Sequence, residues 1–322
     1  MEAELVLNEL SITVATNKYI ACKRLSLFCE LLAIITHNLG TGAPVLRTPR
    51  DLLSRTLAPD FHVYNWLNDP SVDKDSTTYF ISIGTGLPFI DDELSKEDEE
   101  LCLTTEARFQ GQIAKGLLFA YKRNGLALSI LSSAVWHASF LNIDVREIDE
   151  NANIVDYGGK VKHSSNKKNL DVHLSWLEKL AHPSIQDGKS LLIESGAMFP
   201  RIFFLGNTQQ QIGLLGKNDY KLNSLIRSLI SLQEYCNSWN TGGMDIAGLR
   251  AHGLCIRTDG EATLQEFGSE REYYDPNGKK RIFKWHFDIN PGEWRGYIDW
   301  DDTKREIWLT YVGHHLSTKR FQ

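Results

Sequence analysis

The stretch "FKWHFDINPGEWRGYIDWDDTKREIWLTYVGHHL", residues 283–316, holds four of the chain's eight tryptophans and three of its ten histidines. Apolar and polar side chains alternate through it with the period of a β-strand, which predicts three strands over 282–289, 294–300 and 306–312. The turns between them are "NPGE" and "DDTK", both made of standard turn formers. In the first strand Phe283, Trp285, Phe287 and Ile289 share one face, while Lys284, His286 and Asp288 share the other. In the second, Arg295, Tyr297 and Asp299 alternate with Trp294, Gly296, Ile298 and Trp300. One face is expected to be core. The other, with Lys284, His286, Arg295 and Tyr297, is expected to face water or a partner, with His314 and His315 at its rim.

Working outward, the periodicity predicts an amphipathic helix over 221–239, closed by "NTGGMD", just ahead of this sheet. Further back the pattern is mixed. An opening strand over 4–13 precedes a helix over 18–38, and a helix over 111–123 precedes strands near 126–132, 139–149 and 153–162. A helix begins after residue 171, with His173 beside its apolar stripe, and 199–205 reads as a further strand. The polar stretch "GGKVKHSSNKKN" (158–169) reads as an exposed hairpin end or linker. The expected fold class is therefore α+β: a mixed N-terminal region over 1–165, and over 166–322 a domain of helices and a terminal antiparallel sheet.

Composition narrows the function. With 322 residues, 42% hydrophobic and 24% charged, the chain can bury a sizeable core. The most apolar early stretch, residues 25–35, is short and carries Glu30, so no membrane partner is expected. The start, Met-Glu-Ala-Glu, is acidic where a leader would be basic, and the expected compartment is the cytoplasm. Five scattered cysteines without C-x-x-C spacing suggest buried thiols rather than disulfides or zinc. The net charge of −6 is uneven, since residues 279–322 hold nine Lys/Arg against six Asp/Glu. An anionic partner is expected to meet that end first.

Glycine turns at 40–42 and 84–86 lack a P-loop lysine, and no G-x-S-x-G or H-E-x-x-H occurs. No metal or cofactor is expected. The acidic run over 91–100 reads as a solvated loop or first helical turn. The basic run of Lys160, Lys162, His163, Lys167 and Lys168 reads as a solvated hairpin or a secondary nucleic-acid contact.

Lys284, His286, Arg295 and Tyr297 on one sheet face are what a ribonuclease surface requires. Cations neutralise phosphate, rings stack on unpaired bases, and imidazoles move protons. The same residue types also occur on any wet sheet face for structural reasons alone. The segment "FDINPGEWRGYIDWDDTKREIWLTYVGHH" resembles the last strands of the RelE superfamily, particularly its HigB-type toxins, in its Phe287-Asp288-Ile289 strand, its Gly292 turn, Arg295, and the ending Tyr311-Val312-Gly313-His314-His315. The resemblance implies a RelE-like meander and metal-independent endoribonuclease activity on mRNA, commonly at the ribosome. Arg295 would hold the scissile phosphate, His315 would take the place of the family's terminal histidine, and Lys284 would be a weaker match to a basic residue on the preceding strand. Beside these, His286, Tyr297, Lys279, Lys280, Arg281, Lys319 and Arg320 are candidate nucleic-acid contacts. The sequence departs from the family after His315, where "LSTKRFQ" replaces an acidic, tyrosine-containing ending, and residues 1–190 do not resemble it. The expected function is a bacterial toxin-like effector acting on RNA in a toxin–antitoxin or phage-defence system, with a cognate antitoxin or a defence-complex protein as the expected protein partner. The alternative is a non-catalytic interaction subunit of a larger bacterial defence assembly, because Trp, Tyr and Arg also dominate protein interfaces.

Overall fold

Four buried residues in a row, Glu4–Leu7 (β1), need cover on both faces, as a strand inside a sheet with helices on either side does. The structure, a computed structural model, describes residues 3–39, 45–84, 103–148, 153–181, 185–217, 219–289 and 294–318. The Asn8 side chain accepts from Leu10 N and turns the chain into a short 3-10 helix, so β1 ends well before residue 13. The helix Lys18–Leu39 follows as expected, burying Ala21, Leu25, Phe28, Leu32, Ile35 and Leu39 along one stripe. β2 (Val45–Arg47) pairs in parallel with β1. A small hairpin of β3 (Thr56–Ala58) and β4 (Phe61–His62) stands apart from this sheet.

β5 (Thr105–Phe109) and β6 (Gln112–Ile113) form a hairpin whose turn residues, Gln110 and Gly111, have positive φ. That hairpin delays the expected helix, which runs over Lys115–Lys122. With β7 (Leu126–Leu128), β8 (Phe140–Ile148) and β9 (Ile154–Ser164) the first sheet is complete, in the order β2-β1-β7-β9-β8-β5-β6. Its first four strands are parallel, and the rest join antiparallel.

The expected exposed linker at 158–169 is corrected by this sheet. β9 runs through Ser164 between β7 and β8, so Lys162, His163 and Ser164 are buried in its middle. Local polarity misled because each polar group finds an internal partner. Lys162 Nζ donates to Asn124 Oδ1 at 2.7 Å, and burial lowers its pKa to about 8. His163 Nδ1 lies 2.6 Å from the Ala138 carbonyl and must donate to it, so Nε2 accepts from Ser129 Oγ at 2.7 Å. Only Lys167 and Lys168 of the basic run are exposed, on the short helix Lys167–Asp171.

The second sheet is drawn from β10 (Ile202–Phe204), β11 (Ile256–Thr258), β14 (Trp285–Ile289), β15 (Trp294–Asp301) and β16 (Glu306–His314), in the order β10-β16-β15-β14-β11. β10 runs parallel to β16 and the other pairs are antiparallel, which gives the expected meander with a parallel edge. Phe287, Ile289, Ile298, Ile307, Leu309 and Val312 join the core on one face, where the helix Tyr220–Ser238 lies. The strand expected over 282–289 is in fact two. β12 (Glu272–Tyr274) and β13 (Lys280–Ile282) form a separate ribbon, and the chain crosses to β14 at Phe283 and Lys284. There Phe283 N donates to Arg271 O and Lys284 O accepts from Asp259 N, bonds outside either sheet. The "NPGE" turn, both glycine turns and the acidic run lie largely or wholly outside the described residues. In "DDTK" the Asp301 carboxylate accepts from Thr303 N and Lys304 N, closing the turn as its composition predicts.

The chain is α+β. One core cluster runs from Leu5 through the helix Tyr220–Ser238 to Val312, so both sheets share it. Among the described residues no helix is long and apolar enough to cross a membrane.

Candidate functional site

Antiparallel register decides which side chains meet on the second sheet's other face. Arg257, His286, Tyr297 and Tyr311 stand directly opposite one another across β11, β14, β15 and β16. One step along, Asp288 stands opposite Arg295. His286, Arg295 and Tyr297 of the expected platform therefore come together, without Lys284, but they do not face water: His286 is 3% exposed, Asp288 5%, Arg295 6% and Tyr297 0%. The cover comes from chain that shows no strand pattern. Arg271, itself buried, donates through Nε to Asp259 at 2.6 Å and through Nη2 to the Tyr297 hydroxyl at 3.3 Å and Ser317 O at 3.0 Å. One guanidinium thus fastens both the segment after β11 and the stretch after β16 over the sheet.

A chain of opposite charges crosses this face. Arg257 bridges Glu147 of β8, at 3.2 Å, to Asp288, and Arg295 Nε lies 3.0 Å from Asp288 Oδ1. Glu147 also accepts from the Tyr157 hydroxyl at 2.7 Å. Burial works to raise the Asp288 carboxyl, but Arg257 and then Arg295 outweigh it and hold Asp288 well below the usual carboxylate range. Burial, reinforced by Arg257 and Arg295, keeps His286 neutral far below its ordinary range. His315, half-buried, is lowered to about 4 by burial and then by Arg295. Its Nδ1 lies 2.6 Å from Leu316 O and donates to it, which leaves the lone pair on Nε2. The His286 ring is 5.1 Å from Tyr297 and 6.1 Å from His315, centre to centre.

Of the expected site residues, Arg295, His286, Tyr297 and His315 are brought together. Lys284 is exposed at the crossing before β14, four residues short of Asp288 and so not beside Arg295. The expectation that His286 is accessible from the wet face is corrected: it is buried beneath the 259–275 cover. Lys279 and Lys280 are exposed on the ribbon, and Lys280 pairs with Glu272. Arg281 turns inward, 2.8 Å from Asp299 and 5.2 Å from the centre of the Trp308 ring. His314 is exposed beside Trp294. Lys319 and Arg320 lie outside the described residues. Sequence reasoning missed Arg257, Asp259, Arg271 and Glu147. Their only signal was charge inside otherwise apolar or irregular stretches, and nothing local pairs Glu147 with Arg257. Among the described residues no group of three or more His, Cys, Asp or Glu side chains is placed to hold a metal ion.

No family model, no curated protein and no solved structure matches this chain.

Proposed function

We propose that the protein is a toxin-like effector that binds and cleaves RNA at the rim of its second sheet, with RNA or the ribosome as target and a cognate antitoxin as regulator. The observation that carries this reading is the meeting of Arg295 with two neutral imidazoles, one of which, His315, reaches solvent with its tautomer fixed. A neutral imidazole is ready to take the proton of a 2′-hydroxyl, and a guanidinium behind it favours the charge that develops on phosphorus. The negative phosphodiester would raise the proton affinity of His315 on binding, which moves it toward a useful base. Exposed Lys279, Lys280 and Lys284 supply counter-charge nearby in the chain.

The experiment is cleavage of RNA by the full chain and by His315→Gln, with thermal unfolding of both as the control. The reading expects His315→Gln to fold and to lose about 10²-fold in rate. A folded His315→Gln protein that cleaves RNA or arrests growth like the wild type defeats it. The burial and pairing of Arg295 and His286 favour a second reading, a non-catalytic subunit of a bacterial defence assembly. That reading gains if the purified wild type cleaves no RNA and a stoichiometric protein partner is found.

A further inference from the structure

The ribbon of β12 and β13 has two unlike faces. Tyr273 and Arg281 stand opposite each other and point inward. Tyr273 meets Phe283 edge-on at 5.8 Å, and Arg281 is tied to Asp299 and Trp308. The outward pairs are Glu272 with Ile282 and Tyr274 with Lys280. Tyr274 is 66% exposed and Ile282 47%. The turn is rigidly built: the Asp275 carboxylate accepts from Asn277 N and Lys279 N, both at 2.9 Å, and Gly278 takes φ 77°. An anchored ribbon therefore holds an open aromatic ring opposite exposed Lys280 and next to the turn that carries exposed Lys279, with exposed Lys284 farther along, two residues past the other end of β13.

We infer that this ribbon is a reader of single-stranded RNA, with an unpaired base stacked on Tyr274 and its flanking phosphates neutralised by Lys279, Lys280 and Lys284. The inference rests on the RNA reading above and specifies its substrate class. The partner's charge follows from the surplus of Lys and Arg together over Asp and Glu in residues 279–322. The Lys280–Glu272 pair does not oppose it, because an exposed ion pair contributes little and phosphate can displace it. The ring selects the strandedness. In duplex RNA the base faces are already stacked, and the major groove is too deep and narrow for a side chain to reach them. An unpaired base offers its face to any aromatic platform, a contact that tolerates every sequence. The inner anchoring limits the entropy lost on binding, since the ring is already placed.

The test measures fluorescence anisotropy of a labelled single-stranded RNA of about 12 nucleotides, and of the same strand in a duplex, against the full chain. Tyr274 touches solvent, so Tyr274→Ala should keep the wild-type thermal midpoint. It should weaken single-strand binding about tenfold or more, leave duplex binding unchanged, and be rescued by Tyr274→Phe. Lys279→Glu with Lys280→Glu should weaken both RNAs and flatten the salt dependence. If Tyr274→Ala binds the single strand like wild type while the lysine variant loses it, the surface is purely electrostatic and the single-strand reader is wrong, although RNA binding stands. Duplex bound as tightly as single strand has the same meaning. If the wild type binds neither RNA, both readings fail together.

Discussion

Arg295→Ala would leave the Asp288 carboxylate buried with Arg257 as its remaining arginine partner. Removing one member of a buried ionic set typically costs several kcal/mol, and with Arg257 still in place we expect about 2–4 kcal/mol. Urea unfolding checks this, and a midpoint within error of wild type would contradict it. A loss of toxicity in that variant alone therefore says nothing about catalysis; His315→Gln is the cleaner probe. Acid tests the imidazoles. Burial lowers His163 to about 4 and, with Arg295, His315 to about 4, from an ordinary 6.5. Between those values the unfolded chain binds more protons than the folded one, so stability must fall as pH drops from 6.5 toward 4 and level off below. Each fully buried imidazole contributes up to ~1.4 kcal/mol per pH unit in that window, and half-exposed His315 less. Urea midpoints at about pH 7.5 and about pH 5 should separate, and His163→Gln should narrow the gap. Equal gaps in both proteins would assign the acid sensitivity elsewhere. At this scale the sequence announced Arg295 and His315 by residue type and place. It could not announce the burial of Arg295, because its cover is anchored by Arg271, whose surroundings carry no periodic signal.

Between strands, Gly296 of β15 stands directly opposite Phe287 of β14, and a Cβ there would run into the Phe287 ring. The ring lies over bare backbone, a fit only glycine permits. Gly296→Ala should therefore cost about 2–3 kcal/mol, as overpacking does. Combined with Phe287→Ala it should cost less than the two changes added, because the second removes the obstacle the first creates. Strict additivity in urea titrations would refute the account. The meander itself was legible, since its alternation and its "DDTK" turn agree. The break before β14 was not, because Ile282 is a strand former directly adjoining Phe283 and only its partner strand, β12, sets it apart from β14. The strand expected near 153–162 is present as β9, but the linker read over 158–169 failed for the opposite reason. Its polar letters suggested a linker, while the groups that satisfy them, Asn124, Ser129 and Ala138, are brought in by tertiary folding.

Across the whole molecule the two sheets lean on the same apolar cluster, and polar ties reinforce it. Asn124 donates to Arg227 O and Ser231 Oγ, and Arg227 Nε donates to Arg123 O at 2.9 Å. Residues 166–322 expressed alone should therefore lack a cooperative unfolding transition and bind a hydrophobic dye, whereas the full chain should unfold in one step. A fragment with a sharp transition of its own would show that the core divides. The parallel contact of β10 with β16 has a further consequence, for time rather than stability. It joins Phe203 to Trp308, closing a loop of about a hundred residues, and β1 must likewise wait for β7. Chains dominated by such distant pairings fold slowly, on the scale of milliseconds to seconds, because the entropy of closure is lost before the contact is gained. In a refolding experiment local helix signal should return first. The rim at His315, which depends on β16 being in place, should recover last, so a newly made molecule passes through an interval in which it is already collapsed while its second sheet is still incomplete.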